Sequence, residues 1–321
     1  MRGSDHKGKV GYHITMHCFV RLFQRVFVFA FVAAVAFGSA GVIADDSKSP
    51  AAKENKPMVA LVTGSTSGLG HEVALRLAAR GMHVIVHGRD AERGTAVVQE
   101  IEKRGGKARF YRADFAKLSD VRGLAKAIER DYDRLDLLVN NAGIALTGAP
   151  RQVSAEGYEL HFQVNYLSHF LLTNLLLPLL EKSAPSRIVN VASGAQSPID
   201  FNDPQIEKNY SGWRGYGQSK LAQITYTRTL AERLAGTGVT TYSLHPATYM
   251  DTNMVRKSGA TPMSTVDEGA DAVMQLAAKD GIENGAYYNG LRPARAQAQA
   301  YDKEAQERLW ELSKRLTSRT E

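Results

Sequence analysis

Met58-Val59-Ala60-Leu61-Val62-Thr63-Gly64-Ser65-Thr66-Ser67-Gly68-Leu69-Gly70 is the stretch that decides how this chain folds. Its first half is an apolar run of strand length, its second half is a glycine-rich turn, and residues 71–80 continue in a helical pattern. Strand, glycine turn and helix in that order form the setting a dinucleotide needs. Glycines let the backbone come close to a pyrophosphate, and the helix N-terminus offers it unpaired N–H groups and the positive end of a dipole. The spacing is Gly-x-x-x-Gly-x-Gly, not the Gly-x-Gly-x-x-Gly of other nucleotide folds. Alone, these glycines would equally suit a tight βα turn with no ligand.

Working outward, further strands are predicted over 83–87, 108–112, 135–139, 187–192, 239–245 and 286–289, after the first at 59–63. Helices are predicted over 66–80, 90–104, 118–131, 155–181, 215–236 and 266–278. Such alternation implies an α/β fold, a doubly wound, mostly parallel sheet of Rossmann type with helices on both faces. Ligands in these sheets sit beyond the carboxyl ends of the strands. Thr63-Gly64, Asn140 and Ser193 all follow predicted strand ends, so they converge on one rim.

Tyr216-Gly217-Gln218-Ser219-Lys220 sets a phenol and an ammonium four residues apart, on one face of a helix. A free tyrosine loses its proton near pH ~10, and a fixed positive charge nearby favours the phenolate. The pair is therefore a candidate general acid with Lys220 as the tuning charge. Together with Thr63-Gly64-x-x-x-Gly68-x-Gly70, Asn140-Asn141-Ala142-Gly143, Asn165 and Ser193, in that order and spacing, it makes the chain resemble the short-chain dehydrogenase/reductase family from about Lys56 to the C-terminus. Within it, the stretches from Val164 to Asn174 and from Tyr216 to Leu234 look most like the retinol dehydrogenase-like branch.

The resemblance implies an NAD(P)-dependent oxidoreductase that interconverts an alcohol and a carbonyl, with a small alcohol, aldehyde or ketone as substrate. It gives Tyr216 the proton transfer, Ser193 a hydrogen bond to the substrate oxygen, Lys220 the nicotinamide ribose and the depression of the tyrosine pKa, and Asn165 a helix break with a water relaying protons to Lys220. It implies cofactor contacts from Gly64, Ser65, Ser67, Gly68, Leu69, Gly70, Arg89, Asp114, Asn140, Ala142, Tyr216, Lys220 and Pro246. After the second strand, where an NAD enzyme usually has an acid, Gly88-Arg89 stand. An arginine fork pairs well with a 2′-phosphate, so NADP is expected, with NAD the alternative. Asp114 matches an adenine-contacting aspartate and could equally cap the next helix. The family's usual Pro-Gly after the sixth strand is Pro246-Ala247 here, and the spacing to Thr252 is one residue longer. Trp213, Tyr249 and Met250 are candidates to line an apolar pocket. The rival function is a catalytically silent NADP-binding sensor or scaffold, which would be expected to lose Tyr216, Lys220 or Ser193; all three are present.

With 321 residues, 44% of them hydrophobic, the chain can bury a large core. The formal charge of +7 is uneven: residues 1–44 hold five Lys/Arg against one Asp/Glu, and the remainder 35 against 32. No basic stripe interleaved with aromatics occurs in that remainder, so no nucleic-acid partner is expected. The single cysteine, Cys18, precedes the catalytic region, leaving no intrachain disulfide, thiolate metal site or cysteine nucleophile, and no metal is expected. Arg21 and Arg25 precede an uncharged run over 26–44 that ends in Val42-Ile43-Ala44. This pattern predicts a signal peptide over 1–44 and a periplasmic or secreted product. The rival is an uncleaved anchor, with membrane association through 21–44 and a cytoplasmic domain. Residues 45–56 read as a linker and 57–321 as one oxidoreductase domain, with a homo-oligomer left open.

Overall fold

The computed structural model describes residues 56–318. The signal or anchor segment assigned to 1–44, and the linker except Lys56, lie outside them. The strands are β1 (Val59–Val62), β2 (His83–Gly88), β3 (Lys107–Arg112), β4 (Leu137–Asn140), β5 (Ser186–Val191), β6 (Val239–His245), β7 (Tyr287–Asn289) and β8 (Arg292–Ala294). They form one sheet in the order β3-β2-β1-β4-β5-β6-β7-β8, parallel throughout except for the β7–β8 pair. Leu61 lies opposite Ile85 on one side and Leu138 on the other. The chain winds outward from β1 through β2 to β3, then returns to β4 on the other side of β1, opening a crevice at the carboxyl ends of the central strands.

The helices are α1 (Gly68–Ala79), α2 (Ala91–Lys103), α3 (Leu118–Asp131), α4 (Ser168–Lys182), α5 (Gly212–Arg233), α6 (Asn253–Lys257), α7 (Val266–Ala278) and α8 (Lys303–Thr317). Alternate strand residues serve opposite faces: Ala60 and Val62 pack with α1, α2 and α7, whereas Val59 and Leu61 pack with α3, α4, α5 and α8. Burial on both faces explains why β1 reads as a continuous apolar run instead of an alternating one.

Four regions differ from expectation. The helix predicted over 155–181 is replaced by a bridge between Val153 and Glu159, a π-helical turn at Phe162–Leu167, and only then α4. Strand β4 starts two residues later than predicted, because the Asp136 side chain turns aside to accept a 2.7 Å hydrogen bond from the Val59 N–H. Beyond residue 289, β8 and α8 were not expected at all, and neither was the short α6. Helix α8 buries Leu309, Leu312 and Leu316. It sets Trp310 edge-on to Phe170 of α4 (ring centroids 5.3 Å) and stacked beside Tyr226 of α5 (6.0 Å). The Tyr166 hydroxyl shares a 2.6 Å hydrogen bond with Ser313, so α8 also pins the π turn.

Candidate active site

A cleft of about 520 Å³ opens above the carboxyl ends of the central strands. The β1–α1 turn forms one wall. Gly64 and Gly68 have φ of 65° and 56°, values that favour glycine. A Cβ at Gly70 would stand 2.4 Å from the Gly64 carbonyl oxygen and the Asn141 side-chain nitrogen, so the turn closes only without one. Ser67, at the N-cap of α1, makes no side-chain capping bond. The first N–H groups of α1 therefore meet the cleft uncapped, a cradle suited to a pyrophosphate.

Thr63 is the hub behind that wall. Its hydroxyl oxygen accepts the N–H groups of Asn141 (2.8 Å) and Ala142 (2.9 Å), tying the end of β1 to the loop after β4. Of the residues expected to bind the dinucleotide, Gly64, Ser67, Gly68, Leu69, Gly70, Arg89, Asp114, Ala142, Tyr216, Lys220 and Pro246 line the cleft. Ser65 and Asn140 do not, which corrects the expectation for both. Ser65 Oγ donates to the Val62 carbonyl at 2.8 Å and accepts from the His87 N–H at 3.0 Å. Asn140 lies fully buried and donates to Thr173 and Asn190, each at 2.9 Å. Both side chains point into the protein and act as struts, and Thr66 and Asn141 line the cleft beside them.

The opposite wall holds the chemistry. Tyr216 and Lys220 share one face of α5, with the Lys220 ammonium 5.7 Å from the phenol ring centre. Ser193 follows β5, and its Oγ accepts the Ala195 N–H at 3.1 Å, leaving the hydroxyl proton to donate elsewhere. Lys220, almost fully buried, donates to the Val191 carbonyl (3.0 Å) and Gln223 Oε1 (2.9 Å), which leaves one of its three N–H groups for a ligand. Burial with no carboxylate partner lowers its pKa from 10.5 to about 7.

Burial also raises the Tyr216 pKa above its ordinary value, with the facing Ser193 hydroxyl opposing. This reverses the direction expected of the pair. The desolvation penalty on the phenolate sets that direction, and the Ser193 hydroxyl is the group that opposes it.

Asn165 does not line the cleft; it sits fully buried in the π turn. Its side chain accepts the Ile144 N–H (2.8 Å) and donates to the Ile144 carbonyl (3.1 Å) and to Ser219 Oγ (2.9 Å). Ser219 in turn donates to the Tyr216 carbonyl at 2.7 Å. Asn165 therefore positions the loop after β4 and the turn of α5 that carries the tyrosine. Its main-chain carbonyl accepts His169 Nδ1–H at 2.8 Å.

Asp114 is not a helix cap, since α3 is capped at Lys117; its carboxylate accepts the Ala116 N–H at 3.0 Å and lies 3.9 Å from the exposed Arg89 guanidinium. Ala247 carries no positive φ. Tyr249 has a φ of 46°, and Thr252 reaches the glycine turn, 3.2 Å from where a Gly68 Cβ would be.

Two supporting arrangements had no expectation in the sequence. Buried Glu159 and His161 pair at 2.8 Å; His161 Nε2 accepts the Leu146 N–H (2.8 Å), and its ring meets Tyr216 edge-on. The Tyr287 hydroxyl donates to the Ser193 carbonyl at 3.1 Å and holds that loop from β7. An isolated histidine inside an apolar run was the available signal for His87 and His169, but the contacts of His161 with Leu146, His169 with Thr63 and Tyr287 with Ser193 join residues distant in sequence.

The family model for short chain dehydrogenases matches residues 58–262. This chain belongs to the short-chain dehydrogenase family. As a member it is an NAD(P)-dependent oxidoreductase that interconverts an alcohol and a carbonyl by hydride transfer, which disfavours the silent sensor reading. Human retinol dehydrogenase 11 is 38% identical over 270 residues, covering 79% of this chain and 84% of that protein. A solved structure from Mycobacterium paratuberculosis superposes with a TM-score of 0.69 at 31% identity, covering 82% of this chain and 95% of that one. The Pseudomonas aeruginosa RhlG/NADP complex superposes with a TM-score of 0.60 at 27% identity, covering 72% of this chain and 94% of that one.

Proposed function

We propose that this dehydrogenase uses NADP to interconvert a lipophilic alcohol and its carbonyl, with Tyr216 as the proton-transferring group. The observation that carries this reading is the meeting of Ser193, Tyr216 and Lys220 with the glycine turn around one cleft. When bound, the dinucleotide supplies or accepts the hydride. The Ser193 hydroxyl donates to the substrate oxygen, where negative charge builds, and Tyr216 passes its phenolic proton to that oxygen on reduction and takes it back on oxidation. The third N–H of Lys220 is available to the ribose hydroxyls, and Asn165 keeps the helix turn beneath Tyr216 in register.

Support for NADP comes from the end of β2. A Cβ at Gly88 would lie 2.5 Å from Thr66 Cγ2, so an acidic side chain has no room there, while Arg89 next to it is exposed at the cleft. Support for a lipophilic substrate comes from Ile144, Trp213, Tyr249, Met250 and Met254 along the cleft, and from the retinol dehydrogenases among the relatives. The uncharged run over 26–44 and the small residues at its end favour cleavage after Ala44 and export; its length of 19 residues supports a membrane anchor as the second reading.

The test is turnover of a panel of aldehydes, ketones and quinones by the full-length chain with NADPH or NADH, followed by absorbance, in wild type and Arg89→Ala. Reduction of apolar carbonyls with NADPH preferred is expected. Arg89→Ala should raise KM for NADPH over that for NADH by about 1–3 kcal/mol, roughly 5- to 150-fold. Equal effects on both cofactors would remove Arg89 as the selector, and NADPH binding without any reduction would favour a sensor.

A further inference from the structure

The glycine turn is held from behind by a residue outside the motif. The His87 N–H donates to Ser65 Oγ (3.0 Å), its carbonyl accepts the Ser65 N–H (2.9 Å), and its ring Nδ1 accepts the Gly64 N–H (3.1 Å). Nδ1 can accept only if Nε2 carries the ring proton. Burial keeps the ring in that neutral form at neutrality, lowering its pKa to about 4 against the opposing charge of Asp114, and the buried Nε2–H has no hydrogen-bond partner among the described residues.

The ring is fixed in its plane. It stacks on Phe115 (centroids 4.5 Å, 29°), and Phe115 meets a second buried histidine, His169, edge-on at 5.2 Å. His169 contacts the other end of the same turn: its Nε2 lies 3.1 Å from the Thr63 hydroxyl, while Nδ1–H donates to the Asn165 carbonyl. The two histidines and the phenylalanine thus bracket Thr63-Gly64 between the end of β2 and the π turn. The Gly64 N–H stands at a left-handed residue where the chain turns out of β1, and no acceptor besides His87 Nδ1 holds it among the described residues.

We infer that His87 is a positioning residue for the dinucleotide turn, its ring nitrogen taking the Gly64 N–H so that the following N–H groups face the pyrophosphate already aligned. It touches no reacting atom. This inference rests on the reading of the cleft as the dinucleotide site. Its chemistry is that of preorganisation: losing the Nδ1 acceptor leaves a partly buried N–H unpaired and frees the turn to sample other arrangements before binding.

The side chains that distinguish this role from a packing role are Asn, whose amide oxygen can stand where Nδ1 stands, and Gln and Val, which cannot place an acceptor there. Full-length wild type, His87→Asn, His87→Val and His87→Gln are compared by NADPH fluorescence titration, by KM and kcat with a carbonyl the wild type reduces, and by melting temperature. His87→Val and His87→Gln should weaken NADPH binding about 5- to 20-fold, one hydrogen bond's worth, with KM for NADPH rising by more than kcat falls. His87→Asn should bind within about threefold of wild type. If one acceptor-free variant does not fold, the other still carries the comparison, and His87→Asn binding as weakly as either would overturn the inference. So would unchanged binding in folded His87→Val or His87→Gln. A wild type that binds neither NADPH nor NADH would instead defeat the reading of the cleft.

Discussion

A lysine whose ammonium is buried against a carbonyl and an amide, with no carboxylate in reach, subtracts from stability whenever it is charged. The folded pKa of Lys220, about 7, lies below its ordinary 10.5, so between those values the unfolded chain binds the extra proton and the folded one does not. The loss of stability from Lys220 therefore grows as pH falls from 10.5 toward 7 and is complete below 7. Lys220→Met removes that loss. Without cofactor, its melting temperature relative to wild type should be higher at pH 6 than at pH 9.5, and a difference independent of pH would mean the ammonium is not desolvated. The same variant should lose turnover, because the N–H that Lys220 leaves for a ligand is lost with the ammonium. A functional site thus holds a group that weakens the fold around it.

At the scale of elements, α8 matters to the site through the π turn. Leu309 is 1% exposed, in the core where α8 packs on α5. Leu309→Ala should destabilise the protein by about 2–5 kcal/mol and lower its melting temperature by several degrees, read by circular dichroism. A melting temperature within one degree of wild type would show that α8 contributes little to the core. How far these elements were legible depends on where their partners lie. The strand, glycine turn and helix of 58–80 could be read because each step is local, and Tyr216 with Lys220 because a helix spaces them by its own geometry. The π turn could not. It depends on Asn165 bonding to Ile144 and Ser219, and on Tyr166 bonding to Ser313, none of them near in sequence. Helix α8 was missed although Leu309, Leu312 and Leu316 repeat at helical spacing, and Pro293 disguised β8. Ser65 and Asn140 were assigned to the cleft from motif membership, but the pleat at the end of β4 turns Asn140 inward, and Ser65 is held inward by Val62 and His87, neither of which a motif encodes.

For the whole molecule, chemistry and address have to agree. Export after cleavage would leave a catalytic chain beginning at Asp45, and mass spectrometry of the native N-terminus should find that species; a chain retaining 26–44 in the membrane fraction would support the anchored form instead. Whatever its address, turnover in this protein depends on one hydroxyl. Tyr216→Phe keeps the ring, the helix and the cleft and removes only the transferable proton, so turnover and NADPH affinity measured together on that variant test the central claim. We expect kcat to fall by about a hundredfold or more while the Kd for NADPH stays within about twofold of wild type. Near-normal turnover in folded Tyr216→Phe would contradict it.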